Sequence, residues 1–99
     1  MSKDAQRILQ RLKTNRAALK RFGVRRIGLF GSAVRGTMTA RSDIDFVVEF
    51  RRKSFDGYME LKDFLEELFA RKIDLVLLDA IKPSLREPIL SQVIYATRS

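Results

Sequence analysis

The sequence predicts an α/β fold in the α+β sense: a small mixed sheet of about three strands with flanking helices, in the order α-β-α-β-α-β-α. Two observations carry this. Apolar runs of strand length, near 25–30, 43–50 and 73–78, alternate with segments whose apolar residues recur at helical spacing. The helical segment between the second and third runs is long enough for the crossover that a parallel pair of strands needs.

Taken in order, Ile8, Leu12, Leu19 and Phe22 fall on one face of a helix over 4–22, with Leu9 on its flank and Gly23 closing it. The first strand follows at 25–30, and Ser32 to Arg35 has room for one helical turn. Gly36 to Ser42 is a loop of small and hydroxylated residues, and the second strand spans about Asp43 to Phe50. Leu61, Phe64, Leu65, Leu68 and Phe69 mark a helix over about 58–71, after a polar break from Arg51 to Gly57. The third strand is Ile73 to Leu78. The final segment, Pro83 to Ala96, repeats Ile89, Leu90, Val93 and Ile94 at helical spacing, with Ser84 and Glu87 placed as a capping box. Because proline belongs in a first turn, Pro88 predicts that this helix begins at about Glu87.

The whole chain is arranged around Gly31 to Asp45, GSAVRGTMTARSDID. Aspartate is a poor strand former, yet Asp43 and Asp45 open an apolar strand. Side chains alternate along a strand, so the two carboxylates share one face while Ile44, Phe46, Val48 and Phe50 take the other. Like charges held together call for a cation or a shared proton, and an oxygen-only pair suits a hard ion such as Mg2+, which binds through a few carboxylates plus substrate phosphates. Gly31-Ser32 is a candidate phosphate cradle, since glycine lets backbone amides approach an anion. If the second and third strands pair in parallel, Asp74 lies beside Asp43 and Asp45. If the first strand runs antiparallel to the second, Gly31-Ser32 reaches the same edge.

Composition narrows the chemistry. A length of 99 residues fits one domain spanning 1–99, with no residues for a second. There is no cysteine and no histidine, which excludes disulfides, thiol nucleophiles, histidine bases and cysteine or histidine zinc sites. Catalysis must rest on carboxylates, hydroxyls, lysines, arginines and bound ions. No apolar run reaches the ~18 residues of a membrane span, and the N-terminus lacks a signal peptide's apolar segment, so a cytoplasmic protein is expected. The net charge of +8 is concentrated in residues 1–26, where nine Lys or Arg face Asp4 alone. Such a helix suits nucleic acid, an acidic partner or nucleotide phosphates, though charge runs are most often solvated faces. Glu49 lies further along the carboxylate face and reads as a surface charge.

These residues resemble a known family. Gly31-Ser32, then ten residues, then Asp43-Ile44-Asp45 heading an apolar strand, with Asp74 opening a later one, is similar to the nucleotidyltransferase superfamily that includes DNA polymerase beta. The form Gly31-Ser32-Ala33-Val34-Arg35-Gly36 followed by Ser42-Asp43-Ile44-Asp45 resembles its minimal nucleotidyltransferase (MNT) branch. The likeness covers nearly the whole chain, including the order of elements; valine at 34, where many relatives have a smaller residue, is a conservative departure.

That resemblance implies transfer of a nucleoside monophosphate, most simply AMP from ATP, to a hydroxyl with release of pyrophosphate. It implies Asp43, Asp45 and Asp74 as catalytic residues and ligands of two Mg2+ ions, and Gly31, Ser32 and Arg35 as the nucleotide-binding set. Among MNT proteins the recurring partner is a HEPN-domain toxin, which some relatives neutralise by adenylylating a tyrosine hydroxyl. The resemblance therefore implies a protein adenylyltransferase acting as antitoxin in a toxin-antitoxin pair. Two other readings stay open: an antitoxin that neutralises by binding alone, and a nucleic-acid-binding module using the basic first helix.

Overall fold

The computed structural model describes residues 1–98. Its elements are α1 (Lys3–Thr14), α2 (Arg16–Arg21), β1 (Val24–Phe30), α3 (Ser32–Arg35), β2 (Ile44–Phe50), α4 (Phe55–Phe69), β3 (Ile73–Leu77), a 3-10 turn (Leu78–Ala80), α5 (Pro83–Leu90) and β4 (Ile94–Arg98). The strands form one mixed sheet in the order β3-β2-β1-β4. β2 and β3 pair in parallel across α4, while β1 pairs antiparallel with both β2 and β4.

One face of the sheet carries the main core. Ile44, Phe46, Val48 and Phe50 of β2 pack there with Ile8, Leu9 and Leu12 of α1, Leu19 of α2, and Leu61 and Leu65 of α4. A smaller cluster covers part of the other face, where Val47, Leu78 and Ile81 meet Phe30, Val76, Ile89, Leu90 and Val93. The alternation expected for β2 therefore holds: its even-numbered residues are buried in the larger core, and Asp45 and Glu49 stay half-buried on the opposite side.

Four expectations need correction. The helix expected over 4–22 is two helices, because Asn15 leaves helical geometry (φ −103°, ψ 19°) and its amide side chain donates to the Arg11 carbonyl at 2.8 Å. An asparagine that bonds its own backbone competes with the helix ladder, yet Leu12 and Leu19 remain on the core side of both pieces. The helix expected over 58–71 starts earlier, at Phe55, because Ser54 Oγ accepts from the Gly57 amide at 2.9 Å as an N-cap.

The last segment differs most. α5 begins at Pro83, whose fixed φ suits a first helical position, so Ser84 and Glu87 do not form a capping box; the N-cap is Lys82, without a side-chain bond. Pro88 lies inside this short, exposed helix, which ends at Leu90. Ile94 to Arg98 is then a fourth strand, so the sheet has four strands rather than three. A short apolar run at i, i+3 and i+4 does not separate helix from strand, and the β-branched content of Val93-Ile94-Tyr95-Ala96-Thr97 favours strand. Gly28 of β1 makes the space: a Cβ there would fall on Val93 Cγ1 and 3.1 Å from the Tyr95 ring.

Candidate active site

The parallel register places Asp45 directly beside Asp74, and the antiparallel register places Asp45 opposite Phe30, the residue before Gly31. One sheet edge thus receives the end of β1 and the starts of β2 and β3. Gly31 has φ +77°, and a Cβ there would coincide with the Asp45 carboxylate, 2.9 Å from its Cγ. Glycine is required twice over, by backbone conformation and by the carboxylate packed against it. From Gly31 the chain enters α3, where the Val34 and Arg35 amides both donate to the Gly31 carbonyl at 3.1 Å, and Gly36 (φ +79°) turns it out again. Ser2 ties this turn to the N-terminal helix: its hydroxyl donates to the Ala33 carbonyl at 2.6 Å and caps α1 by accepting from the Ala5 amide.

The electrostatics at this edge are unfavourable to the ligand-free protein. Burial pushes the Asp45 carboxyl above the usual carboxylate range; the neighbouring charges of Asp74 and Asp43 push it further, and the Arg35 guanidinium opposes them. Asp43 and Asp74 are exposed at the strand starts, and Arg35 is exposed on α3, its guanidinium 3.5 Å from Gln92 Oε1. The structure therefore brings Asp43, Asp45, Asp74, Gly31, Ser32 and Arg35 to one end of the sheet.

Among the described residues no group of three or more carboxylates is close enough together to hold a metal ion by itself. That is compatible with Mg2+, which keeps several waters and takes one or two carboxylates plus substrate phosphates. The donor set is oxygen-only, and Asp45 is held at an electrostatic cost that a cation would relieve. The residues present fit such an ion.

The loop leading into Asp43 is a compact knot. The Ser42 amide donates to the Thr39 carbonyl at 3.1 Å, the Thr39 amide donates to Ser42 Oγ at 2.9 Å, and the Arg41 amide donates to Thr39 Oγ1 at 3.3 Å. Arg71 clamps it from behind: one nitrogen, Nη1, donates to both the Thr39 and the Ser42 carbonyls, each at 2.9 Å. The clamp joins the residue next to Asp43 to the chain three residues ahead of Asp74, and the Ile44 amide bonds the Lys72 carbonyl at 3.1 Å in the same place. Arg71 is absent from the expected site. It lies just past the end of α4 beside Lys72, and only the parallel pairing of β2 with β3 brings it to the loop.

The model of the nucleotidyltransferase domain family matches residues 8–96. The chain belongs to the nucleotidyltransferase domain family. This nucleotidyltransferase is 40% identical over 77 residues to the protein adenylyltransferase MntA of Thermococcus cleftensis, covering 77% of this chain and 78% of that one. It superposes with a TM-score of 0.71 and 25% identity on a chain of a toxin-antitoxin crystallised with AMP-PNP, covering 88% of this chain and 73% of the other. The fold is also shared, at a TM-score of 0.65 and 21% identity, with a chain from the complex of tri-AMPylated Shewanella oneidensis HEPN toxin and MNT antitoxin, covering 92% and 73%. No helix among the described residues is long and apolar enough to cross a membrane.

Proposed function

We propose that this nucleotidyltransferase moves AMP from ATP to a tyrosine hydroxyl of a HEPN-domain toxin and so acts as its antitoxin. The observation that carries the reading is the juxtaposition of Asp45 with Asp74 on one side and with Gly31 on the other. The identity of 40% with a protein adenylyltransferase supports the choice of nucleotide and of a protein acceptor.

Asp43, Asp45 and Asp74 would hold Mg2+, two ions by resemblance. Bound there, the metal supplies charge neutralisation on the triphosphate and a lowered pKa for the attacking hydroxyl. Gly31, having no side chain, lets the triphosphate approach the backbone, and Ser32 offers a hydroxyl to the β and γ phosphates. Arg35 contributes a guanidinium to the same anion. The acceptor oxygen bonds the α-phosphorus as the bond to pyrophosphate breaks, and its proton passes to a carboxylate at this end of the sheet, Asp74 by resemblance. The rigid β2-β3 pairing fixes the spacing of the acids, which is how a small scaffold supplies positioning.

The test is label transfer from α-labelled and γ-labelled ATP with Mg2+ into a co-expressed HEPN partner. Label from the α position on the partner, absent with Asp43→Asn/Asp45→Asn, is expected. A partner that binds tightly, is neutralised and takes no label from any of the four nucleoside triphosphates would replace this reading by neutralisation through contact alone.

A further inference from the structure

On the opposite side of β2 from the carboxylates, a cavity of about 250 Å³ lies between α1, the end of α4 and the loop before Asp43. Its inner wall is apolar, with Ile8 buried and Leu68 and Phe69 half-buried, and exposed Arg7 and Arg11 and half-buried Arg71 stand around it. It runs on into an open groove of about 830 Å³ along the outer face of α1, which shares Arg7, Arg11 and Leu68 with it.

Three guanidinium groups thus border one cavity whose only acid among the described residues is Asp4, paired to Arg7. Arg71 already gives one nitrogen to two loop carbonyls, which do not neutralise its charge. Like charges gathered at one cavity raise its affinity for an anion, and guanidinium forks match phosphate oxygens. A phosphate alone would leave the apolar wall unused. An aromatic ring and aliphatic side chains beside a cationic rim suit a ligand with a flat base at one end and a phosphate at the other.

We infer that this cavity is a second binding site, for a nucleoside phosphate, with the phosphate on Arg7 and Arg11 and the base against Leu68 and Phe69. It is distinct from the carboxylate edge, needs no metal, and does not depend on the transfer reading. Arg71 links the two places, since it borders the cavity and holds the loop that carries Asp43.

The experiment is an NMR titration of the full chain with AMP, in the absence of divalent cations, on an Asp43→Asn/Asp45→Asn background. Saturable shifts at Ile8, Leu68 and Phe69 are expected, with affinity falling at least tenfold in Arg7→Gln/Arg11→Gln. Inorganic phosphate, run in parallel, is expected to bind more weakly and leave Leu68 and Phe69 unmoved. Any of these results would overturn the assignment: no saturable binding; shifts confined to Gly31, Ser32 and their neighbours; or phosphate matching AMP in affinity, which would reduce the site to a simple anion patch. Unchanged AMP affinity in a folded double-arginine variant would also reject it.

Discussion

Two acids on the same face of β2, Asp45 and Glu49, sit in opposite company. Glu49 faces β1, where Arg26 Nε donates to its Oε1 at 3.0 Å and Arg25 lies 4.0 Å away. Arg26 in turn rests over the Tyr95 ring, 5.4 Å from its centroid. Asp45, four residues earlier, is half-buried among other carboxylates, with a single arginine acting on it. An acid given its own cation is complete within the fold. An acid placed among acids has its charge left to be balanced by something that binds, and perturbed groups of this kind gather at functional sites.

That contrast can be broken or sharpened, and the largest effect is expected from removing the acidic end. Asp43→Asn/Asp45→Asn should reduce AMP transfer by about 10³-fold or more, read by label incorporation, with the fold intact by circular dichroism. Gly31→Ala should come next. It forces a Cβ onto the Asp45 carboxylate from a left-handed backbone, at a cost of about 1–3 kcal/mol in denaturant titrations and a loss of activity beyond what that destabilisation explains.

Arg71→Ala keeps all three carboxylates but frees the loop that leads into Asp43, and turnover should fall about 10- to 100-fold, as for other groups that orient ligating side chains. Its independent readout is faster hydrogen exchange at the Thr39 and Ser42 amides. Smaller still is a stability effect of opposite sign. Because Asp45 has a raised pKa in the folded chain, the folded state holds a proton that the unfolded state has released, and stability declines as pH rises from the ordinary carboxylate value through the raised one. Asp45→Asn, without Mg2+, should therefore melt higher than wild type at neutral pH, with the gap closing as pH falls into that window. Glu49→Gln should lie at the other extreme, changing stability by less than ~1 kcal/mol and transfer not at all.

Much of this was legible in the chain. The alternation of Ile44, Phe46, Val48 and Phe50 with Asp43, Asp45 and Glu49 separates the two faces of β2, and the length between 50 and 73 predicts the parallel pair that sets Asp74 beside Asp45. Local signals failed where two structures compete for the same pattern. Val93 and Ile94 satisfy helical spacing, and what decides for a strand is the vacancy at Gly28, 65 residues away in sequence from Val93. The Arg71 clamp and the arginine-bordered cavity were hidden for a related reason, since both are assembled from segments that only the tertiary fold brings together. Asn15 carried a readable signal, an amide able to bond its own helix, but the regular apolar spacing on either side concealed it.

The pairing of Phe30 with Asp45 also limits how this chain can change in length. Alternation along β2 means that one residue gained or lost between Asp45 and Val47 would exchange inward and outward side chains on one side of the change, sending a carboxylate toward the oily interior or an aromatic ring toward water. The exposed Gly36-Thr37 stretch, by contrast, precedes both the pairing and the Thr39–Ser42 knot, and residues added between Thr37 and Met38 alter neither the knot nor which way any β2 side chain points. Loop grafts aimed at a new acceptor belong in that segment, and the strands beside it should be left at their native length.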